Sequence, residues 1–267
     1  MIQNPDQFRT DPAFLPDQVR DYRLLMRRWK RLIREIPFLD FGIFGEASGY
    51  PLMVVESKRE QHALDAPSLY ISTGIHGDEP AGVEALIEWA TQFLPTLAGW
   101  NLQLFPCLNP WGLERNIRCD AEGRDLNRCF NSRKVPQIRA QLALMKGKRY
   151  DVGVMLHEDY DARGFYIYEA SLPRPFWGEI LREGLSSSMS PDPRGRIEGR
   201  AARKGLIRRR IDQQLLKQLK GHPEALHLYF HHAERTFTFE TPSEESLTHR
   251  VEIHKKFLEF VLKQLDH

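Results

Sequence analysis

From Ser68 the chain reads SLYISTGI, then HGDE, then PAGVEALIEWATQFL, in which Val83, Leu86, Ile87, Ala90 and Leu94 fall on one stripe. The first run has the length and composition of a buried strand. The last has helical periodicity, with Pro80 suited to a first helical turn. A strand that feeds a helix through a short loop buries its surfaces only if more strands widen the sheet and more helices cover it. The rest of the chain supplies them. Asn101 to Asn109, Tyr150 to Asp159, Phe165 to Ala170 and Arg235 to Ser243 read as strands. Helices are expected near Val135 to Met145 and from Glu244 to Leu265. Near the N-terminus, Tyr22, Leu25, Trp29, Leu32, Ile33 and Ile36 recur at three- and four-residue steps, a helix over about 17–36 stopped by Pro37. Phe41 to Phe44 and Pro51 to Ser57 read as a hairpin turning through Gly45 to Gly49.

The fold class expected is therefore α/β: a single domain over 1–267 with a mixed, mainly parallel sheet flanked by helices, and a basic loop excursion at about 186–210. Lys and Arg total 38 against 36 Asp and Glu, a net +2, so no overall charge draws the chain to nucleic acid or an anionic membrane. Three cysteines, Cys107, Cys119 and Cys129, form no C-x-x-C pair, which argues against a disulfide framework and a thiolate zinc site. The polar first residues do not read as a secretory signal, and no run of about 18 apolar residues occurs. A cytoplasmic location is the expectation.

Chemistry concentrates where strands end. His76 and Glu79 follow the Ser68 strand, and His157 closes the run VGVML. Imidazole and carboxylate are zinc ligands, and strand ends in one parallel sheet open on one crevice. Each motif alone is equally satisfied by a histidine making an ordinary hydrogen bond. Asp78, Glu158 and Asp159 are the candidates to orient the imidazoles.

The pieces H-G-D-E (76–79), N-P-W-G (109–112), R-C-D-A-E-G-R-D-L-N-R (118–128), L-H (156–157) and F-E-T-P (239–242) occur in the order of a known family. The chain resembles the zinc carboxypeptidases of the carboxypeptidase A-like clan, in their short bacterial form, and more distantly aspartoacylase and succinylglutamate desuccinylase. The matching pieces reach over about two thirds of the chain, from Ile71 to Pro242. The resemblance implies a mixed sheet of about eight strands, the carboxypeptidase-like fold, and one zinc per chain on His76, Glu79 and His157. It also implies Glu240 as general base, Arg118 as oxyanion stabiliser, and Asn127 with Arg128 as the anchor of a substrate carboxylate.

These roles make physical sense. A carboxylate beside the metal takes the proton of the attacking water, a fixed cation meets the developing oxyanion, and a planar guanidinium suits bidentate carboxylate binding. Arg115 and Arg124 fall off the family register. The tyrosine that many carboxypeptidases carry on a loop has three candidates here, Tyr166, Tyr168 and Tyr229. The activity implied is metallocarboxypeptidase or peptide amidase on a small peptide with a free carboxylate, or alternatively N-acyl amino acid deacylation.

Two further features compete. His227, Tyr229 and His231 share a face if extended, and His227 with His231 do if helical, so with Glu224 or Glu234 they are a possible second metal site or a plain histidine cluster. Arg194 to Arg210 carries eight basic residues against Glu198 alone. It lacks the interleaved aromatics of a nucleic-acid stacking surface, and instead points to a segment over the active site that favours anionic substrates.

Overall fold

The computed structural model describes residues 16–58, 65–171, 175–208, 211 and 221–266. Ten strands are present among them: β1 Leu39–Ala47, β2 Tyr50–Ser57, β3 Ser68–Ser72, β4 Asn101–Phe105, β5 Tyr150–Asp159, β6 Tyr166–Ser171, β7 Arg196–Ile197, β8 Arg200–Ala201, β9 Leu206–Arg208 and β10 Ala233–Pro242. The helices are α1 Tyr22–Arg34, α2 Pro80–Phe93, α3 Pro110–Arg115, α4 Pro136–Met145, α5 Gly178–Leu185, α6 Glu224–His231 and α7 Leu247–Leu265. Eight strands form one sheet in the order β1-β2-β4-β3-β5-β10-β6-β9, and β7 with β8 make a separate hairpin. The β4–β3, β3–β5, β5–β10 and β6–β9 pairs are parallel; β1–β2, β2–β4 and β10–β6 are antiparallel. The mixed, mainly parallel α/β sheet is thus as expected.

The alternation TFTFE in β10 divides the two faces. Phe237 and Phe239 enter the larger core, where Phe239 stacks on Phe257 of α7 at 4.2 Å. That core also takes Trp29 from α1, Leu86 from α2 and Leu181 from α5. A second core under α4 and α6 holds Ile138, Leu228, Met155 and Phe105. Thr236, Thr238 and Glu240 face the side away from Phe237 and Phe239 because successive strand residues alternate, and there they line a cavity.

Several boundaries differ from expectation for local reasons. The first helix is interrupted: a 3-10 turn over Pro16–Arg20 precedes Asp21, whose side chain accepts from the Leu24 N–H at 2.8 Å and caps α1. The hairpin turn is only Ser48 and Gly49, with φ of 51° and 81°, because a bulge between Ile43 and Gly45 lets β1 continue through the glycine. β3 stops at Ser72 and β4 at Phe105, before Gly74, which turns the chain at φ 61°, and Pro106, which has no N–H for a ladder. The closing helix starts only at Leu247, behind the Ser246 cap. α3, α5 and α6 are additional; HLYFHH lies in α6 and its end, so His227 and His231 are one helical turn apart. Among the described residues no helix is long and apolar enough to cross a membrane.

Candidate active site

The two most conspicuous sequence motifs meet back to back. A Cβ on Gly77 of H-G-D-E would stand 2.0 Å from the carbonyl carbon of Gly112 in N-P-W-G. The contact is backbone against backbone, which only glycine at 77 permits. Asn109 secures the other side: its Oδ1 accepts from the Gly112 N–H, capping α3, and its amide donates to the Arg118 and Cys119 carbonyls at 3.2 and 3.0 Å. The loop holding His76 and Glu79 and the loop holding Arg118 are therefore locked together.

Beyond β3, His76 and Glu79 turn toward His157 at the carboxyl end of β5. The Glu79 carboxylate lies between the rings, with Oε1 2.6 Å from His76 Nδ1 and Oε2 2.7 Å from His157 Nδ1. All three side chains are buried, and their ligand atoms lie within 4.8 Å of one another, the only such group among the described residues. Burial opposes the His76 cation, but Glu79 and a hydrogen bond to Asp125 outweigh it and raise His76 to about 9. Burial likewise favours a neutral Glu79, yet the two imidazoles hold it well below the usual carboxylate range. Two nitrogens and a carboxylate converging in a buried pocket are a donor set that fits zinc.

Asp125 of the D-L-N-R motif joins His76 to Arg118. Its Oδ1 is 3.1 Å from His76 Nε2, which leaves Nδ1 as the ligand atom, and its Oδ2 accepts from Arg118 Nε and Nη2 at 3.3 and 3.1 Å. A carboxylate seven residues after an arginine was the available signal. The residues expected to orient the imidazoles do other work. Glu158 accepts from the Ala81 N–H at the start of α2 and pairs with Arg250 of α7. Asp159 accepts from the Tyr166 hydroxyl at 3.0 Å and pairs with Arg194. Asp78 is half-buried, and its Oδ1 has no hydrogen-bond partner among the described residues.

The strand register places Glu240 beside the His76, Glu79 and His157 group. It is paired across the β5–β10 ladder with His157, and across β10–β6 with Tyr166. Burial raises its carboxyl well above the ordinary range; His157 opposes the rise and Glu79 adds to it. All seven sequence-nominated residues, His76, Glu79, Arg118, Asn127, Arg128, His157 and Glu240, line one cavity of about 450 Å³. Arg118 also reaches Glu79 Oε1 at 3.3 Å. Asn127 Oδ1 accepts from the Glu224 N–H at 2.9 Å. Arg128 is exposed to the cavity, and the segment behind it is pinned where His222 N–H donates to its carbonyl. Of the tyrosines, Tyr166 and Tyr168 line the cavity from β6, a strand rather than a loop, and Tyr229 on α6 does not.

The histidines of α6 form a separate cluster with His222 and His232, with His227 and His231 ring centres 4.7 Å apart. No three of its donor atoms converge as those of His76, Glu79 and His157 do. Glu224 is absorbed elsewhere, buried against Tyr70 and Gln141. In the basic stretch Arg208 is held by Glu169 and Glu179, lies over Phe176 and does not line the cavity; Arg209 and Arg210 lie outside the described residues.

The eight-stranded mixed sheet has the fold of the metallo-carboxypeptidases. The chain superposes on a candidate metallopeptidase from Shewanella denitrificans OS217 with a TM-score of 0.79 and 22% identity, covering 92% of this chain and 91% of that one. A second, from Shewanella amazonensis SB2B, gives 0.78 and 24%, with 92% and 94% covered. A metallo-carboxypeptidase from Burkholderia cenocepacia gives 0.64 and 16%, with 90% of this chain and 68% of that one covered. More particularly, residues 65–172 match the succinylglutamate desuccinylase/aspartoacylase catalytic domain. No curated protein sequence matches the chain. Both branches of the resemblance read from the motifs are thereby supported, and together they support a hydrolase.

Proposed function

We propose that the protein is a zinc-dependent amide hydrolase that cleaves next to a residue bearing a free carboxylate, as a carboxypeptidase or peptide amidase. The observation that carries this reading is the strand register that sets buried Glu240 beside the His76, Glu79 and His157 group in a cavity also lined by Arg118 and Arg128. A zinc ion held by those three residues would polarise the scissile carbonyl and acidify water at the site.

Glu240 accepts the proton of the water that attacks the carbonyl carbon and delivers it to the leaving nitrogen as the C–N bond breaks. Burial raises the affinity of its carboxylate for that proton. Arg118, tethered to Asp125, donates to the oxyanion. Arg128 holds the substrate carboxylate. Asn127 assists: the Glu224 N–H fixes its oxygen, which leaves its amide N–H groups to donate. A cavity of about 450 Å³ suits a small peptide or N-acyl amino acid.

The match over residues 65–172 favours a second reading, deacylation of an N-acyl amino acid. One experiment separates the two: zinc-loaded protein and its Glu240→Gln variant are incubated with short peptides, murein tripeptide and N-acyl amino acids, and products are identified by mass spectrometry. Release of a C-terminal residue from a peptide by wild type alone supports the peptidase reading. Release of acyl groups only transfers the assignment to the deacylase. Equal turnover by Glu240→Gln would overturn both.

A further inference from the structure

Away from the active cavity, a groove of about 600 Å³ lies between α4 and α6. Arg139, Leu142, Ala143 and Lys146 recur at three- and four-residue steps, so they share one face of α4 and its C-terminal end. His227 and His231 line the groove from α6. Among the described residues no Asp or Glu lines it. Arg133, Arg139 and Lys146 do, and they are exposed, with no ion-pair or hydrogen-bond partner for their side chains among the described residues. A volume of this size is in the range of small-molecule sites.

The imidazoles add a different surface. His227 is half-buried, with the Phe130 ring at 5.9 Å and His231 and His232 at 4.7 and 5.4 Å. Burial, and then the neighbouring imidazoles, lower it to about 3, and no carboxylate acts on it. Its ring is therefore uncharged, and with Leu142 it offers a flat apolar surface. His232 is lowered too, by burial, and its Nδ1 donates to the Lys148 carbonyl at 3.0 Å, which fixes that ring and leaves Nε2 as an acceptor. The groove thus joins three cations, an apolar ring surface and an acceptor for an N–H. α6 is the wall between this groove and the active cavity. Pro223, Ala225 and Leu226 line the cavity, and the Glu224 N–H holds Asn127 there.

We infer that the α4–α6 groove is a second ligand site and that it takes a nucleotide, with the base against His227 and Leu142 and the phosphates among Arg133, Arg139 and Lys146. Guanidinium and ammonium groups without carboxylate partners gain charge-assisted hydrogen bonds from phosphate oxygens, bidentately in the case of arginine. A heteroaromatic base stacks on an uncharged ring, and its N–H groups meet an acceptor in His232. Neither half of such a ligand satisfies the whole groove: an inorganic phosphate leaves the ring surface uncovered, and an uncharged nucleoside leaves the cations as they are. Because α6 is shared, a nucleotide seated here bears on the helix that positions Asn127.

The test is calorimetric titration of the full zinc-loaded chain with ADP, adenosine and inorganic pyrophosphate, with zinc content measured before and after. ADP is expected to bind about tenfold or more tighter than either fragment. Arg139→Glu reverses a charge in the groove, and Ala143→Trp fills the groove from an exposed position. Each should weaken ADP binding by about tenfold or more. Lys134→Glu makes the same charge change at an exposed lysine outside the groove and should leave ADP binding as it is. Arg128→Ala, in the active cavity, should also leave it unchanged. Amide exchange over α4 and α6 should slow when ADP is bound. The inference is overturned if ADP does not bind, if pyrophosphate binds as tightly as ADP, or if Arg128→Ala abolishes ADP binding while Arg139→Glu retains it. The hydrolase reading stands or falls separately, on Glu240→Gln.

Discussion

Gly77→Ala is the smallest change that tests how the site is held. The added methyl would lie 2.0 Å from the Gly112 carbonyl carbon and 2.4 Å from both Gly112 Cα and Leu113 N. Contacts below 3.0 Å do not persist, so the two loops must part by at least about 1 Å, and no flexible side chain is there to yield. Overpacking ordinarily costs about 1–3 kcal/mol, and a backbone obstacle puts this variant at the upper end, about 3 kcal/mol. For a chain of this size that is a fall in Tm of roughly 6–12 °C. The displacement falls between His76 and Glu79, and a shift of about 1 Å in a catalytic constellation costs about a hundredfold in rate. The assay is thermal unfolding with and without zinc, together with zinc affinity by chelator competition. Gly195→Ala is the control, since nothing lies within 4 Å of its Cβ position. It should stay within about 0.5 kcal/mol of wild type. A Gly77→Ala protein that matches this control in both Tm and zinc affinity would refute the idea that the two motifs are glycine-bearing because their backbones touch.

Asp125→Asn should lower zinc affinity by about 10- to 100-fold with little loss of fold, because it removes the carboxylate that orients His76 and steadies Arg118; unchanged affinity in a competition titration would show that His76 needs no such support. His254 is fully buried with its Nδ1 unpartnered among the described residues, and burial, with Arg250 and His157 nearby, lowers it to about 3. Its folded pKa is depressed below the unfolded value of about 6.5, so the unfolded state binds the proton first, and stability is full above pH 6.5 and lost as pH falls toward 3. Urea unfolding at pH 7 and pH 4 should show a wild-type loss about 3 kcal/mol larger than that of His254→Gln; equal losses would contradict the assignment.

The strands and helices that carry the site could be read from periodicity because their surroundings impose it. TFTFE alternates since one face of β10 meets α7 and the other the cavity. His76, Glu79 and His157 were readable because donor side chains at strand ends leave a sequence pattern. Asp125 was harder, because it acquires its role from what stands opposite in space, His76 Nε2. Within the Arg194 to Arg210 stretch expected to favour anionic substrates, Arg208 is unavailable for the same reason, since Glu169 and Glu179, distant in sequence, already satisfy it. α3, α5 and α6 leave no clear trace in the sequence because short helices carry too few turns for a periodic signal.

The pairing of His157 with Glu240 across β5 and β10 has a bearing on how such an enzyme can diversify. Two neighbouring parallel strands hold these residues abreast through main-chain hydrogen bonds, so a slip of one position in either strand would turn one of the pair to the opposite face. The hairpin over 196–201 contributes no strand to that ladder. Its exposed positions can vary while His157 and Glu240 stay abreast, but Ile197, buried against Tyr166 and Ile207, cannot. A library confined to the exposed positions therefore reshapes the rim of the cavity and leaves the β5–β10 ladder intact, a separation that makes the hairpin the natural graft point for redesign.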